Sequence, residues 1–208
     1  MKKVLAIFAI AIIAVTCVFA AFDSSKLSVG VSTGISNETV ETFGKNTYLY
    51  LHTGHYGFDM AARGDYNLNE DVTLTAIIDW SMPHWVRFYG RTDFFARNTK
   101  AVVVKGDIEH KLALTVGATK SYALGGKFGL DLTAGPEFKI CLNDGKIDLG
   151  LRGIVKVNYG LSEKIDLNLS VGGTYYFLID GDWFYINDDR YSAYMFRSGV
   201  TAGLTYKF

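Results

Sequence analysis

The 208-residue sequence predicts a single all-β domain, an eight-stranded antiparallel up-and-down transmembrane β-barrel. Three observations carry that prediction. Eight segments alternate apolar with polar or small residues at period two, the repeat of a strand whose two faces meet different environments. Aromatic residues bracket several of them about ten positions apart, which spaces two interfacial girdles across a bilayer. The connections alternate between short turns and mostly long loops, as in an up-and-down barrel.

Residues 1–20 begin with Lys2 and Lys3, run apolar from Val4 to Val15 and reach Val18-Phe-Ala20. This is the pattern of a secretory signal peptide cleaved before Ala21, leaving 21–208 as the barrel domain. The apolar run is short for a permanent membrane helix, and Ala14-Val15-Thr16 before Cys17 fits a lipoprotein signal poorly. Losing two lysines turns 21 basic against 21 acidic residues into 19 against 21. That balance gives no argument for nucleic acid as a partner. Cys141 is then the sole cysteine, so no intramolecular disulfide is expected.

Strand one sets Leu27, Val29, Val31, Thr33 and Ile35 against Ser28, Gly30, Ser32 and Gly34, and 37–46 reads as a polar loop. Strand two places Tyr48, Tyr50, Tyr56, Phe58, Met60, Ala62 and Tyr66 opposite Thr53, His55, Asp59, Arg63 and Asp65. A turn at Asn67 to Asp71 leads to strand three, with Val72, Leu74, Ala76, Ile78 and Trp80 on its apolar face. Pro83 ends that run, and a long loop extends to about Gly106, with Ala101-Val-Val-Val104 extending strands into a protruding hairpin. Strand four alternates Ile108, Leu112, Leu114, Val116 and Ala118 with Glu109, Lys111, Thr115 and Gly117, and turns at Tyr122 to Gly126.

Strand five sets Phe128, Leu130, Leu132, Ala134, Phe138 and Ile140 against Gly129, Asp131, Thr133, Gly135 and Glu137, with Pro136 expected to impose a bulge. Asn143-Asp-Gly145 marks a hairpin into strand six, where Ile147, Leu149, Leu151, Val155, Val157 and Tyr159 oppose Asp148, Gly150, Arg152, Lys156 and Asn158. Leu161 to Lys164 turns the chain into strand seven, with Ile165, Leu167, Leu169, Val171, Tyr175 and Phe177 opposite Asp166, Asn168, Ser170 and Thr174. A last long loop spans 180–191. Ten strands rather than eight would require two more from the segment after Pro83, whose charges argue against it.

The final strand alternates Phe196, Ser198, Val200, Ala202, Leu204, Tyr206 and Phe208 with Arg197, Gly199, Thr201, Gly203, Thr205 and Lys207. Ten steps of a strand tilted about 40° rise about 25 Å along the membrane normal, the height of an apolar band. Leu204, Tyr206 and the terminal Phe208 resemble the C-terminal sorting signal of bacterial outer-membrane β-barrels. The whole region 21–208 is similar to the small OmpA/OmpX-type barrel class. The resemblance implies outer-membrane localisation, periplasmic termini, lipid contact and engagement of the outer-membrane assembly machinery by the last strand.

Alternation alone also suits a soluble lipocalin-like carrier with its apolar face inward. The Gly, Ser and Thr on the polar face, the girdles and the loop pattern favour lipid outside. The lumen would then hold Asp59, Arg63, Asp65, Asp79, Glu109, Lys111, Asp131, Glu137, Asp148, Arg152, Lys156, Asp166 and Arg197. Mixed charges at the axis can pair into a plug or line a narrow porin-like channel for small or hydrophobic solutes, and the plug is the expected outcome because unpaired burial is costly.

No catalytic constellation is expected. His55 with Asp79 is the one pair whose chemistry could serve acid–base work, and a lipid-acting barrel enzyme stays a minor alternative. Asp180, Asp182, Asp188 and Asp189 lack the spacing of a cation site, so no metal or cofactor is expected. The long loop concentrates Trp85, Arg87, Phe88, Tyr89, Arg91, Phe94, Phe95, Arg97 and Lys100, rings beside cations that suit an external binding surface for a ligand or for anionic surface groups.

Overall fold

A computed structural model describes residues 23–44, 49–69, 72–83, 87–93, 102–104, 110–143, 145–179, 182–183 and 191–208. Eight long strands form the wall: β1 (Leu27–Gly44), β2 (Leu49–Asn67), β3 (Thr73–Pro83), β4 (Lys111–Gly125), β5 (Phe128–Cys141), β6 (Ile147–Gly160), β7 (Ile165–Ile179) and β8 (Tyr191–Lys207). Each pairs antiparallel with its sequence neighbours, and β1 pairs with both β2 and β8. The sheet is therefore closed, and the predicted eight-stranded up-and-down barrel is the observed fold. Closure leaves no barrel edge with unpaired backbone groups, which a membrane interior requires.

The two ends differ in their connections. At one end β2–β3, β4–β5 and β6–β7 are joined by short turns beside both ends of the barrel domain. The last of these strands is tied down there, because Lys207 N donates to Lys164 O at 2.8 Å and Phe208 N to Leu27 O at 3.2 Å. At the other end two long connections, 84–110 and 180–190, leave the wall beside the shorter 45–48 and 142–146. There Arg87–Asp93 pairs with β2 over Leu49–Gly54 and carries Val102–Val104 at its far side, the protruding hairpin the sequence suggested.

Three local expectations need correction. The segment read as a loop from residue 37 is strand as far as Gly44: it pairs with both β2 and β8, and its polar Glu38 faces the polar lumen, so hydropathy marks no boundary there. The β4–β5 turn is tighter than Tyr122 to Gly126: strand pairing persists to Gly125, and Gly125 and Gly126 take positive φ at 101° and 61°. Pro136 makes no bulge. Thr115 pairs with Glu137 and Ala118 with Ala134, so the register is the same on both sides of it. Instead, Gly117 and Gly135 bring the two backbones close, and a Cβ on Gly135 would lie 2.5 Å from Gly117 Cα. The observed irregularities fall at Ala123/Gly125 and Leu149/Gly150.

The apolar residues lie outside. Ile35, Leu151, Val171 and Leu169 are 69%, 59%, 55% and 54% exposed, and the belt they share circles the wall. An apolar surface of that extent fits lipid and not water. Towards the turn end, Phe128 meets Tyr159 at 5.0 Å and Tyr206 meets Phe208 at 5.1 Å between ring centroids, while Trp80 stacks on His110 at 5.7 Å towards the other end. The buried residues are largely charged or hydroxylated, so the molecule is polar within and apolar without.

Candidate functional site

The inward positions of the eight strands form two charged tiers. In the tier nearer the loop end, Arg152 of β6 reaches across to Asp79 of β3, and the same nitrogen lies 3.0 Å from Glu137 Oε2 and 3.2 Å from Thr115 Oγ1. Tyr176 donates its hydroxyl to Glu137 Oε1. Arg197 Nη2 lies 3.0 Å from Asp59 Oδ1. Above them Lys139 Nζ contacts Glu38 Oε2 at 2.6 Å and Asp148 Oδ2 at 3.0 Å, while Lys111 Nζ takes the other Glu38 oxygen at 2.5 Å. Lys139 also sits 4.0 Å over the Tyr176 ring, so the buried cation has two carboxylates and an aromatic face as partners.

The second tier lies nearer the turn end. Arg63 Nε donates to both Asp65 oxygens at 2.9 and 2.7 Å, and its Nη2 donates to Thr119 at 3.0 Å and Thr133 at 3.2 Å. Thr75, Thr119 and Thr133 link their hydroxyls at 2.6 and 2.7 Å, with Thr75 donating to Asp65 Oδ1 at 2.5 Å. Lys156 Nζ lies 2.9 Å from Asp131 Oδ2, whose carboxylate also accepts from Ser121 and Asn158. At the rim Lys207 Nζ pairs with Asp166 at 2.7 Å. This tier opens onto a cup of about 620 Å³ at the turn end, which Arg63 and Lys156 help to line.

Glu109 lies outside the described residues, and the other lumen positions chosen from the sequence all point inward in this arrangement. Three further members escaped the sequence reading. Glu38 sat in the stretch taken for loop. Lys139 lies two residues beyond Glu137 at the same parity, and Tyr176 shares the parity of Thr174, so extending each alternation by one step would have found both.

His55 and Asp79 are not brought together: the register places His55 opposite Glu38, and Asp79 opposite Ala61, six positions further along β2. Asp79 is occupied by Arg152. Of the long loop, the backbone of Arg87, Phe88, Tyr89 and Arg91 lies in the short strand on β2, while Trp85, Phe94, Phe95, Arg97 and Lys100 lie outside the described residues. So do residues 1–20 and, of the acidic loop, Asp180, Asp188 and Asp189; Asp182 is in the short strand Asp182–Trp183. Leu204, Tyr206 and Phe208 present their side chains on the outer face, each close to half exposed.

No protein-family model and no curated protein matches this sequence. Solved structures do match its fold. Neisserial surface protein A aligns with a TM-score of 0.54 at 12% identity, covering 90% of this chain and 100% of that one. OprG of Pseudomonas aeruginosa gives 0.48 at 10% identity over 87% and 95%, and Ail of Yersinia pestis 0.43 at 9% over 86% and 98%. The closed eight-strand wall and its likeness to Neisserial surface protein A give this chain the fold of the small outer-membrane β-barrels.

Proposed function

We propose that this chain is a non-enzymatic integral outer-membrane protein whose lumen is closed and whose loop end makes the contacts that matter to the cell. The observation that carries this reading is the filled lumen: side chains from well-separated strands meet inside it, Glu38 with Lys139 and Arg152 with Asp79 among them, and two voids between such side chains measure about 40 and 30 Å³. The apolar belt and the aromatic C-terminal strand support residence in lipid with both termini in the periplasm, after removal of residues 1–20. The aromatic and basic segment from Trp85 to Lys100 would then face outward, offered to a surface ligand or to anionic surface groups.

Extraction from the outer-membrane fraction, heat-modifiable migration and planar-bilayer recording test the reading together. A folded barrel that shifts on heating and gives no steady current is expected. Recovery as a soluble periplasmic monomer would overturn it in favour of a carrier. A narrow channel is the second reading, favoured by the open cup at the turn end, and steady solute-sized current through the native protein would establish it. On intact cells, protease should cut between Pro83 and Gly106 before the Asn67 to Asp71 turn; the reverse order would invert the orientation.

A further inference from the structure

We infer that the barrel is sealed by an apolar collar of Ala61, Ile77 and Ile154, and not by its salt bridges. The inference rests on the closed-lumen reading and names the element that closes it. All three residues occupy inward positions, on strands whose neighbouring inward residues are charged or hydroxylated: Asp59 and Arg63 on β2, Thr75 and Asp79 on β3, Arg152 and Lys156 on β6. They are 5%, 4% and 8% exposed and pack as one cluster. Between β3 and β6 the wall contains β4 and β5, so contact between Ile77 and Ile154 crosses the lumen.

The strand next to Ile154 leaves room for it. Ile154 lies beside Gly172, where a Cβ would come 3.1 Å from its Cγ1, and the adjoining inward residues are Ser32, Ser170 and Thr201. Ser170 and Thr201 bond to each other at 2.6 Å, leaving the 40 Å³ void. That space, bordered by Asp79 and Arg152 on one side and by Arg63 and Lys156 on the other, has room for only a few waters. Above the collar stands the Asp79–Arg152–Glu137 network and below it the Arg63–Asp65–Lys156 network that meets the open cup. An ion passing a charged layer meets groups of opposite sign that replace part of its hydration, whereas an ion entering an apolar constriction loses hydration and finds little replacement. At the level of the collar the described inward side chains carry no charge, and only the hydroxyls of Ser32, Ser170 and Thr201 stand beside the apolar groups.

Planar-bilayer recording on three forms of the full barrel decides it. The native protein and an Asp79→Asn, Arg152→Gln, Glu137→Gln variant should stay at baseline. An Ile77→Ala, Ile154→Ala variant should carry steady current. Current through the neutralised variant, or silence from a collar variant that migrates as a folded barrel, would overturn the inference. Should the double alanine variant not fold, Ile154→Thr carries the test: openings in it support the collar and a silent barrel overturns it. Current through the native protein would instead defeat the closed-lumen reading itself, and the collar with it.

Discussion

The two charged tiers of the lumen use the same residue types under different solvation. Around Arg152 the groups that it and its partners meet have lost water almost entirely, with Asp79 at 2% and Glu137 and Tyr176 at 0% exposure, while the Arg152 side chain itself keeps 13%. Around Arg63, Asp65 and Lys156 a cup of about 620 Å³ stands open beside the network. A buried ion pair recovers through its partner only what each charge lost on leaving water, so its net gain is small while the cost of removing one member is large. Where water stays within reach, a widowed charge can be resolvated. The upper tier should therefore be brittle and the lower tier tolerant.

The sharpest way to break that contrast is Arg152→Ala, which leaves Asp79 and Glu137 buried without their cation. Unfolding in urea from lipid vesicles should show a loss of about 3–5 kcal/mol, and Arg152→Leu combined with Asp79→Leu and Glu137→Leu should recover most of it. A smaller loss for Arg152→Ala than for any lower-tier change would undo the comparison. Gly135→Ala probes the same level through the backbone. Its Cβ would press on Gly117 and on the Val116 carbonyl, so a loss of about 2 kcal/mol is expected, against little change for Gly153→Ala, which meets nothing within 4 Å.

In the lower tier, Lys156→Ala leaves Asp131 still accepting from Ser121 at 2.6 Å and Asn158 at 2.8 Å beside the open cup. The same unfolding measurement should show a cost of about 1.5 kcal/mol. Lys207→Ala lies at the end of the series, because that lysine side chain is 50% exposed beside Asp166. Its cost should stay below about 1 kcal/mol and shrink further in molar salt. A salt-insensitive loss as large as that of Lys156→Ala would mean that solvation does not order these sites.

Much of the lumen was legible in the sequence because a strand's period is fixed by stereochemistry: once Asp131 and Glu137 share a parity, they share a face. The same rule misled wherever composition was used to end a strand. Glu38, in an apparently polar loop, is the acceptor for both Lys111 and Lys139. In a barrel that is polar inside, a polar run carries no information about where pairing stops. Pro136 misled for another reason. The register passes through it unchanged, and close approach of two glycine backbones is visible only across strands.

By itself the sequence determined the architecture: eight alternating segments and their turns leave one economical way to satisfy every backbone group in lipid. Which charges meet was decided only by the tertiary structure. Arg152 and Asp79 are 73 residues apart and join across the lumen because closure and register set their strands at matching heights. Ile77 and Ile154 show this most plainly. In the linear chain each is an apolar residue at a polar parity, a break in the pattern without meaning. Closing the wall brings β3 and β6 to face each other across a lumen that side chains fill, and two isolated exceptions become a single apolar cluster with Ala61.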